Sequence, residues 1–275
     1  MTGTVDRIAA HYGTGTLLAR ISAGFEALGK SLASATVEDL KPVDEFHIGG
    51  LPATEALLAQ VEIGPETKVL DIGCGIGGTA RFIATRFGAS VTGIDLTPEF
   101  VEAARTLNEI TGVPGEFMVG SATDLPFGDG GFDLVTLIHV GMNIEDKGRL
   151  FAEAARVLRP RGSFAVYDVM EEEAGPLDYP LPWASAPETS FLAPLETYRA
   201  AAEAAGFAVL AWRPRGDFAR KFFADLSARS AGKAPPPLGL PLAMGENARE
   251  KIANMIANLD RHRIAPTELI CRKVA

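Results

Sequence analysis

Cysteine is scarce in this sequence. Cys74 and Cys271 are the two thiols in 275 residues, too few for a disulfide framework, so the fold must rest on a core and suits a reducing compartment. At this length a chain buries about three quarters of its unfolded surface and needs no staples. Long apolar runs are missing as well. No stretch reaches the roughly 18 residues that suggest a membrane helix, and the first residues, MTGTVDRIAAHYGTGT, hold no apolar signal core. These absences predict no membrane span and a cytoplasmic location. The four histidines are scattered, and no Cys/His spacing fits a ligand set, so no metal site is expected. Positive charge is in the minority: 26 Lys and Arg against 35 Asp and Glu give a net charge of −9. That counts against a nucleic-acid partner, whose phosphates need clustered cations. The short clusters at Arg213 and Arg215 and at Arg261 and Arg263 read as solvated faces. No internal repeat is visible, and the apolar and charged fractions, 47% and 22%, are those of a globular protein.

What is present is alternation. From Lys68 to Val169 short β-branched runs alternate with helical patterns, the signature of βαβ units and a parallel sheet. Strands are predicted at 68–72, 90–95, 116–120, 132–140, 163–169 and 207–212, with a closing strand at 267–274. Gly88 and Gly112 end the first two intervening helices, and Pro160 with Gly162 end the third. Thr97 is placed to cap the second, with Pro98 as its first residue. Asn143 reads as the cap of the third. Residues 1–66 look helical with breaks and form an N-terminal helical cap. The remainder, 67–275, is the core, with insertions at about 170–193 and 217–265. The second insertion holds an amphipathic segment, a Pro-rich turn at Pro235 to Pro237 and a helix near Glu246 to Leu259. The cap and the C-terminal insertion are the material for a helical lid, since loops this long are functional or disordered.

The chemistry centres on VLDIGCGIGG, residues 69–78. Gly73, Gly75 and Gly78 satisfy the dinucleotide pattern G-x-G-x-x-G, which alone is weak. Asp71 discriminates. In a dinucleotide site the loop and the helix N-terminus face a pyrophosphate, and a carboxylate there would repel it. S-adenosylmethionine has no phosphate; it carries an ammonium and a sulfonium, to which a carboxylate is attractive. Asp95 ends the second strand, where a carboxylate can accept both ribose hydroxyls, a device NAD sites share.

These segments resemble class I S-adenosylmethionine-dependent methyltransferases of the small-molecule and lipid-modifying type. VLDIGCGIGG is similar to their first motif and VTGIDLTPEFVEAA to their second. Gly120 to Val135, with LPF at 125–127 and FDLV at 132–135, resembles the third and fourth, and ARVLRPRGSFAVYDV at 155–169 the signature after strand four. The likeness covers roughly residues 45–212. It implies an α/β, Rossmann-like, seven-stranded, mostly parallel sheet flanked by helices, its last strand antiparallel. It implies S-adenosylmethionine as cofactor, with S-adenosylhomocysteine as product. Contacts are implied from the loop Gly73, Cys74, Gly75 and Gly77, from Asp95 and Leu96, and from Ser121 and Ala122. His139 would face both cofactor and acceptor and is the candidate catalytic residue. One position departs: family members usually have an acid where this chain has Ser121, so adenine would be held more by the backbone at Ala122 and by apolar walls.

Cys74 reads as a small loop residue, since nothing marks an activated thiolate. Tyr12 and His47 lie upstream, where family members fold over the cofactor; a packing or surface role is equally open. Trp183 and Tyr179 either wall an acceptor pocket or anchor their loop. The expected reaction is in-line methyl transfer to a small-molecule or lipid-like acceptor at N, O or C, for which alignment supplies several kcal/mol. A base is needed only if the acceptor must lose a proton. The sequence leaves a homodimer open. Two rivals remain: an NAD-dependent oxidoreductase and a non-catalytic S-adenosylmethionine-binding protein. Titration with both cofactors separates the first rival: tight NAD binding without S-adenosylmethionine binding would overturn the methyltransferase reading.

Overall fold

The computed structural model describes residues 16–230, 232, 236–239, 241–245 and 247–274. Tyr12, Pro235 and Glu246 lie outside them.

Among the described residues the core is one sheet with strands β1 (Lys68–Ile72), β2 (Ser90–Asp95), β3 (Glu116–Val119), β4 (Phe132–Ile138), β5 (Leu158–Glu171), β6 (Phe207–Pro214) and β7 (Ile264–Lys273). Their order is β3-β2-β1-β4-β5-β7-β6. β7 runs antiparallel to both its neighbours, and the pairs from β3 to β5 are parallel. The expected α/β architecture is therefore present, reversed strand included.

Period-two alternation distributes the core. Leu70, Ile72, Val135, Leu137, Phe164 and Val166 pack on one face beneath α6 (Lys147–Val157) and α7 (Leu195–Ala204). Val69, Leu134, Ala165 and Tyr167 point to the other, under α3 (Leu51–Leu58), α4 (Gly78–Phe87) and α5 (Pro98–Thr111). Both faces are covered, as a parallel sheet requires. The described part of the upstream region, from residue 16, holds α1 (Leu17–Ala27), α2 (Val37–Asp44) and α3. α8 (Gly216–Ser230), α9 (Pro241–Met244) and α10 (Ala248–Asp260) follow β6. A separate apolar cluster joins Ile48, Met142 and Trp183 to Phe223, Met255 and Leu259 of α8 and α10. No described helix is long and apolar enough to cross a membrane.

Several boundaries differ from the sequence expectation. The third strand stops at Val119, and β4 stops at Ile138, because His139 takes a positive φ of 55°. The third inter-strand helix ends at Val157 and runs straight into β5, so Pro160 and Gly162 do not end it. They sit in an irregular stretch where the pairing with β4 skips from Leu158 to Ser163. β5 continues through Glu171, lengthened by pairing with a β7 that begins at Ile264. Asn143 closes a one-turn 3-10 helix, and Asp146 caps α6 by accepting from the Arg149 N–H at 2.8 Å. Thr97 precedes α5 but makes no side-chain cap.

The upstream segment is fastened to the core by one buried ion pair. Arg81, on α4, is fully buried. It donates to Asp44 Oδ1 at 2.5 Å and to Asn108 Oδ1 at 2.8 Å. Burial raises the Asp44 pKa to about 6, against the pull of Arg81. Gly78 makes the approach possible, since a Cβ there would collide with the Asp44 backbone carbonyl. Removing one partner strands a buried charge, so Arg81→Ala is expected to cost roughly 3–5 kcal/mol. Urea unfolding followed by circular dichroism measures this; a loss below about 1 kcal/mol, the size of a surface pair, would contradict it.

Candidate functional site

The strand order reverses direction between β1 and β4, and ligands bind at the carboxyl ends of strands flanking such a point. Two turns leave this crevice. After β1 the chain passes through Gly73, Gly75 and Gly77 at φ of 71°, 52° and 82°, a conformation that glycine adopts without penalty. After β4 it passes through His139 and Val140. The turns pack together: a Cβ on Gly73 would collide with the Val140 side chain.

A cavity of about 520 Å³ opens over these turns. Asp71, Gly73, Cys74, Gly75, Asp95, Leu96, Ser121, Ala122 and His139 all line it. The structure therefore gathers nine of the ten anticipated site residues. Gly77 is the exception. It precedes α4 with its would-be Cβ against Arg81 and the Phe117 ring, so its role is close packing.

Asp71 is the anomalous group. Its side chain is buried at the end of β1. Oδ1 accepts from Thr136 Oγ1 at 2.7 Å, while Oδ2 is buried and has no partner among the described residues. Burial raises its pKa to about 7. A buried carboxylate oxygen without a donor is costly, and perturbed groups of this kind mark functional sites. An ammonium group would relieve it; a phosphate would aggravate it. Asp95 is held differently. Its Oδ2 accepts from the Gly75 N–H at 3.0 Å and its Oδ1 from the Thr97 N–H at 2.8 Å. Those bonds fix a carboxylate against the cavity, and each oxygen keeps a further lone pair for a hydroxyl donor. Burial still pushes its pKa up.

Ser121 Oγ shares a hydrogen bond with Thr123 Oγ1 at 2.9 Å and accepts from the Thr123 N–H at 3.2 Å. It shapes the turn, beside which the apolar Leu96, Ala122 and Phe100 line the cavity. Burial raises the Cys74 thiol well above its ordinary pKa, so it stays protonated and packs.

A second cavity of about 630 Å³ adjoins the first. Phe46, His47 and His139 line both. Much of its lining is apolar, with Ile48, Met142, Trp183, Phe222, Phe223, Leu238 and Met255, and its charged members are Lys41, Glu45 and Arg249. Trp183 is therefore a wall residue, fixed by donating from Nε1 to Ser190 Oγ at 3.0 Å. Tyr179 only packs on the neighbouring apolar cluster. Three rings meet at the junction, with centroids 5.1 Å apart for His139 and Tyr167, 5.7 Å for His47 and His139, and 5.9 Å for His47 and Tyr167. Burial and the neighbouring His47 depress the His139 pKa well below the usual value, and its Nε2 has no partner among the described residues.

Sequence reading missed Thr136 and Phe46. Thr136 lies opposite Asp71 only through the β1–β4 register, and Phe46 carries no motif. No group of His, Cys, Asp and Glu among the described residues is arranged to hold a metal.

Residues 70–166 match the methyltransferase domain family. A 2-methyl-6-phytyl-1,4-hydroquinone methyltransferase of Synechocystis sp. is 41% identical over 104 residues, 38% of this chain and 32% of that protein. A glycine/sarcosine/dimethylglycine N-methyltransferase of Actinopolyspora halophila is 34% identical over 138 residues, 48% of this chain and 24% of that protein. Geranyl diphosphate C-methyltransferase from Streptomyces coelicolor A3(2), solved with Mg2+, geranyl diphosphate and S-adenosyl-L-homocysteine, superposes with a TM-score of 0.63 at 18% identity. That likeness covers 81% of this chain and 79% of that one and concerns the fold. The chain spans about a third or less of the first two of these relatives.

Two outcomes test the site. In the free protein Asp71 has its pKa raised from 3.8 to about 7. Its contribution to stability is thus full below 3.8 and lost as pH rises through about 7. An ammonium ligand takes the ionised form and displaces the proton. Affinity for S-adenosylhomocysteine should therefore rise with pH, by up to about tenfold per unit, and flatten above about 7. Calorimetry across this range measures it, and Asp71→Asn should flatten the slope; a slope that survives the substitution would assign the proton elsewhere. Asp95→Ala should weaken binding about ten- to a hundredfold through one or two lost charge-assisted hydrogen bonds; an unchanged affinity would remove Asp95 from the site.

Proposed function

We propose that this chain, whose residues 70–166 carry a methyltransferase domain, transfers the methyl group of S-adenosylmethionine to an apolar small molecule held in the second cavity. The observation that carries this is the buried Asp71 oxygen without a donor at the glycine turn. A cationic amino-acid end fits it and a pyrophosphate does not, which disfavours the NAD alternative.

The residues present suit the cofactor. Asp71 would hold its ammonium, Gly73 and Gly75 would let the backbone approach, Asp95 would accept from the ribose hydroxyls, and Leu96, Ala122 and Phe100 would flank the adenine. When bound, it supplies a methyl group on a sulfonium, an already activated leaving group. What remains for the protein is alignment and exclusion of water. His139, at the one junction of the two cavities seen among the described residues, would touch both cofactor and acceptor. Residues 1–66 and the stretches 170–193 and 217–265 are read as the cap and lid of the core at 67–275. Of these, Phe46, His47, Trp183 and Phe223 supply walls.

The acceptor class follows from the second cavity. Its charged lining is Lys41, Glu45 and Arg249, while apolar and aromatic side chains make up most of the remainder. A largely apolar body, such as an alkylated ring or a terpenoid, suits that apolar majority better than an amino acid does. That the cavity opens onto the cofactor site at His139 favours catalysis over mere cofactor binding.

Incubation with S-adenosylmethionine and, in turn, a decyl-hydroquinone, geraniol and glycine tests this. S-adenosylhomocysteine should form faster with the apolar acceptors than without any, and glycine should not stimulate. Tight cofactor binding with no stimulation by any apolar acceptor would favour a non-catalytic binder.

A further inference from the structure

The upstream segment brings a second imidazole to the junction, and its surroundings are unlike those of His139. His47 Nε2 lies 3.2 Å from the Gly50 carbonyl, 3.1 Å from Thr54 Oγ1 and 3.5 Å from Glu45 Oε2. A carbonyl can only accept. Thr54 Oγ1 already donates its single proton to Glu45 Oε2, at 2.8 Å, so toward His47 it can only accept too. Nε2 must therefore carry the hydrogen, and neutral His47 presents its lone pair on Nδ1. The side chain lines both cavities. A buried carboxylate behind one ring nitrogen fixes the tautomer and stabilises the imidazolium formed when the other takes a proton. His139 has no carboxylate in that position.

We propose that His47, oriented by Glu45 and Thr54, is the group that takes a proton from the acceptor, and that the acceptor therefore presents a hydroxyl oxygen on its apolar body. This rests on the methyltransferase reading above. The acceptor O–H bond breaks and its proton goes to His47 Nδ1. The freed electron pair of the oxygen forms the new C–O bond, and the electrons of the broken C–S bond stay on sulfur. A neutral amine would attack through a lone pair it already has and would need no such dyad. His139 then serves as wall and contact. In the free protein burial lowers His47 to about 4 and raises Glu45 to about 7, so the geometry around Nε2 carries the proposal and the dyad takes up charge only as the acceptor gives up its proton. His139 stays neutral by burial, and Tyr167 is pushed up beyond the range in which it would ionise. Above about pH 7, where Glu45 is ionised, its carboxylate 3.5 Å from Nε2 is placed to balance a proton on His47.

The test uses the full chain with isotope-labelled histidine, saturated with S-adenosylhomocysteine, and 4-nitrophenol as the hydroxyl probe. Nitrogen NMR should show His47 as the neutral Nε2–H tautomer. Bound 4-nitrophenol should ionise at lower pH than in solution, read from phenolate absorbance, with the His47 nitrogens shifting toward imidazolium. In H47Q and E45Q the midpoint of the bound probe should rise by about one pH unit or more, a tenfold loss of bound phenolate at fixed pH. The Nδ1–H tautomer in the wild type, or equal midpoints in wild type and variants, would overturn the dyad, and failure of the probe to bind would overturn the hydroxyl acceptor. If H47Q does not fold, E45Q and T54V carry the comparison. If the wild type does not bind S-adenosylhomocysteine, the methyltransferase reading fails instead, and the His47 tautomer in the free protein still decides the dyad's geometry.

Discussion

The site depends on the buried pair between Arg81 and Asp44. Asp44 ends α2, and the next residues are Glu45, Phe46, His47 and Ile48. Holding Asp44 against α4 sets where these side chains fall: Glu45 behind His47, Phe46 and His47 at the junction, Ile48 in the second cavity. A buried ion pair is weak grounds for stability, since desolvating both charges offsets much of their attraction. Here its consequence is positional. Gly78 allows the contact and Asn108 completes the hydrogen bonding of Arg81, so the segment has one seat on the core.

Around that seat the molecule concentrates groups held away from their ordinary ionisation. Asp71 and Glu45 are pushed up and His47 and His139 pushed down, each chiefly by burial. Every shift favours the neutral form, the expected response to a dry site. A cation at Asp71 would reverse the first. The free protein is thus arranged at a cost that a charged ligand would recover, a common feature of sites built for function more than for stability.

The two cavities differ in which elements line them. The first presents carboxylates and backbone at the strand ends; the second is walled by Trp183, Met142 and the helices after β6. They share only Phe46, His47 and His139 among the described residues, so the proposed transfer would take place beside these three side chains. The positive φ of His139 belongs to this arrangement. It turns the chain out of β4 early and places the ring on the seam instead of in the sheet.

The sequence by itself determined the sheet, the glycine turn and the carboxylates at the ends of β1 and β2. These are local: alternation within a strand, left-handed turns that need glycine, and a fixed spacing between Asp71 and Asp95 all lie within short segments. It left His47 between two roles, Trp183 between wall and anchor, and named Asn143 as the cap of a helix that Asp146 caps instead. Only the tertiary structure decided those. Whether Trp183 faces a cavity depends on α8 and α10, which lie far from it in the chain. Whether Asp71 keeps an oxygen without a donor depends on the register that sets Thr136 beside it. Whether His47 can accept a proton depends on Gly50, Thr54 and Glu45 converging on one nitrogen. Convergence of that kind is a property of packing, and no spacing along the chain encodes it.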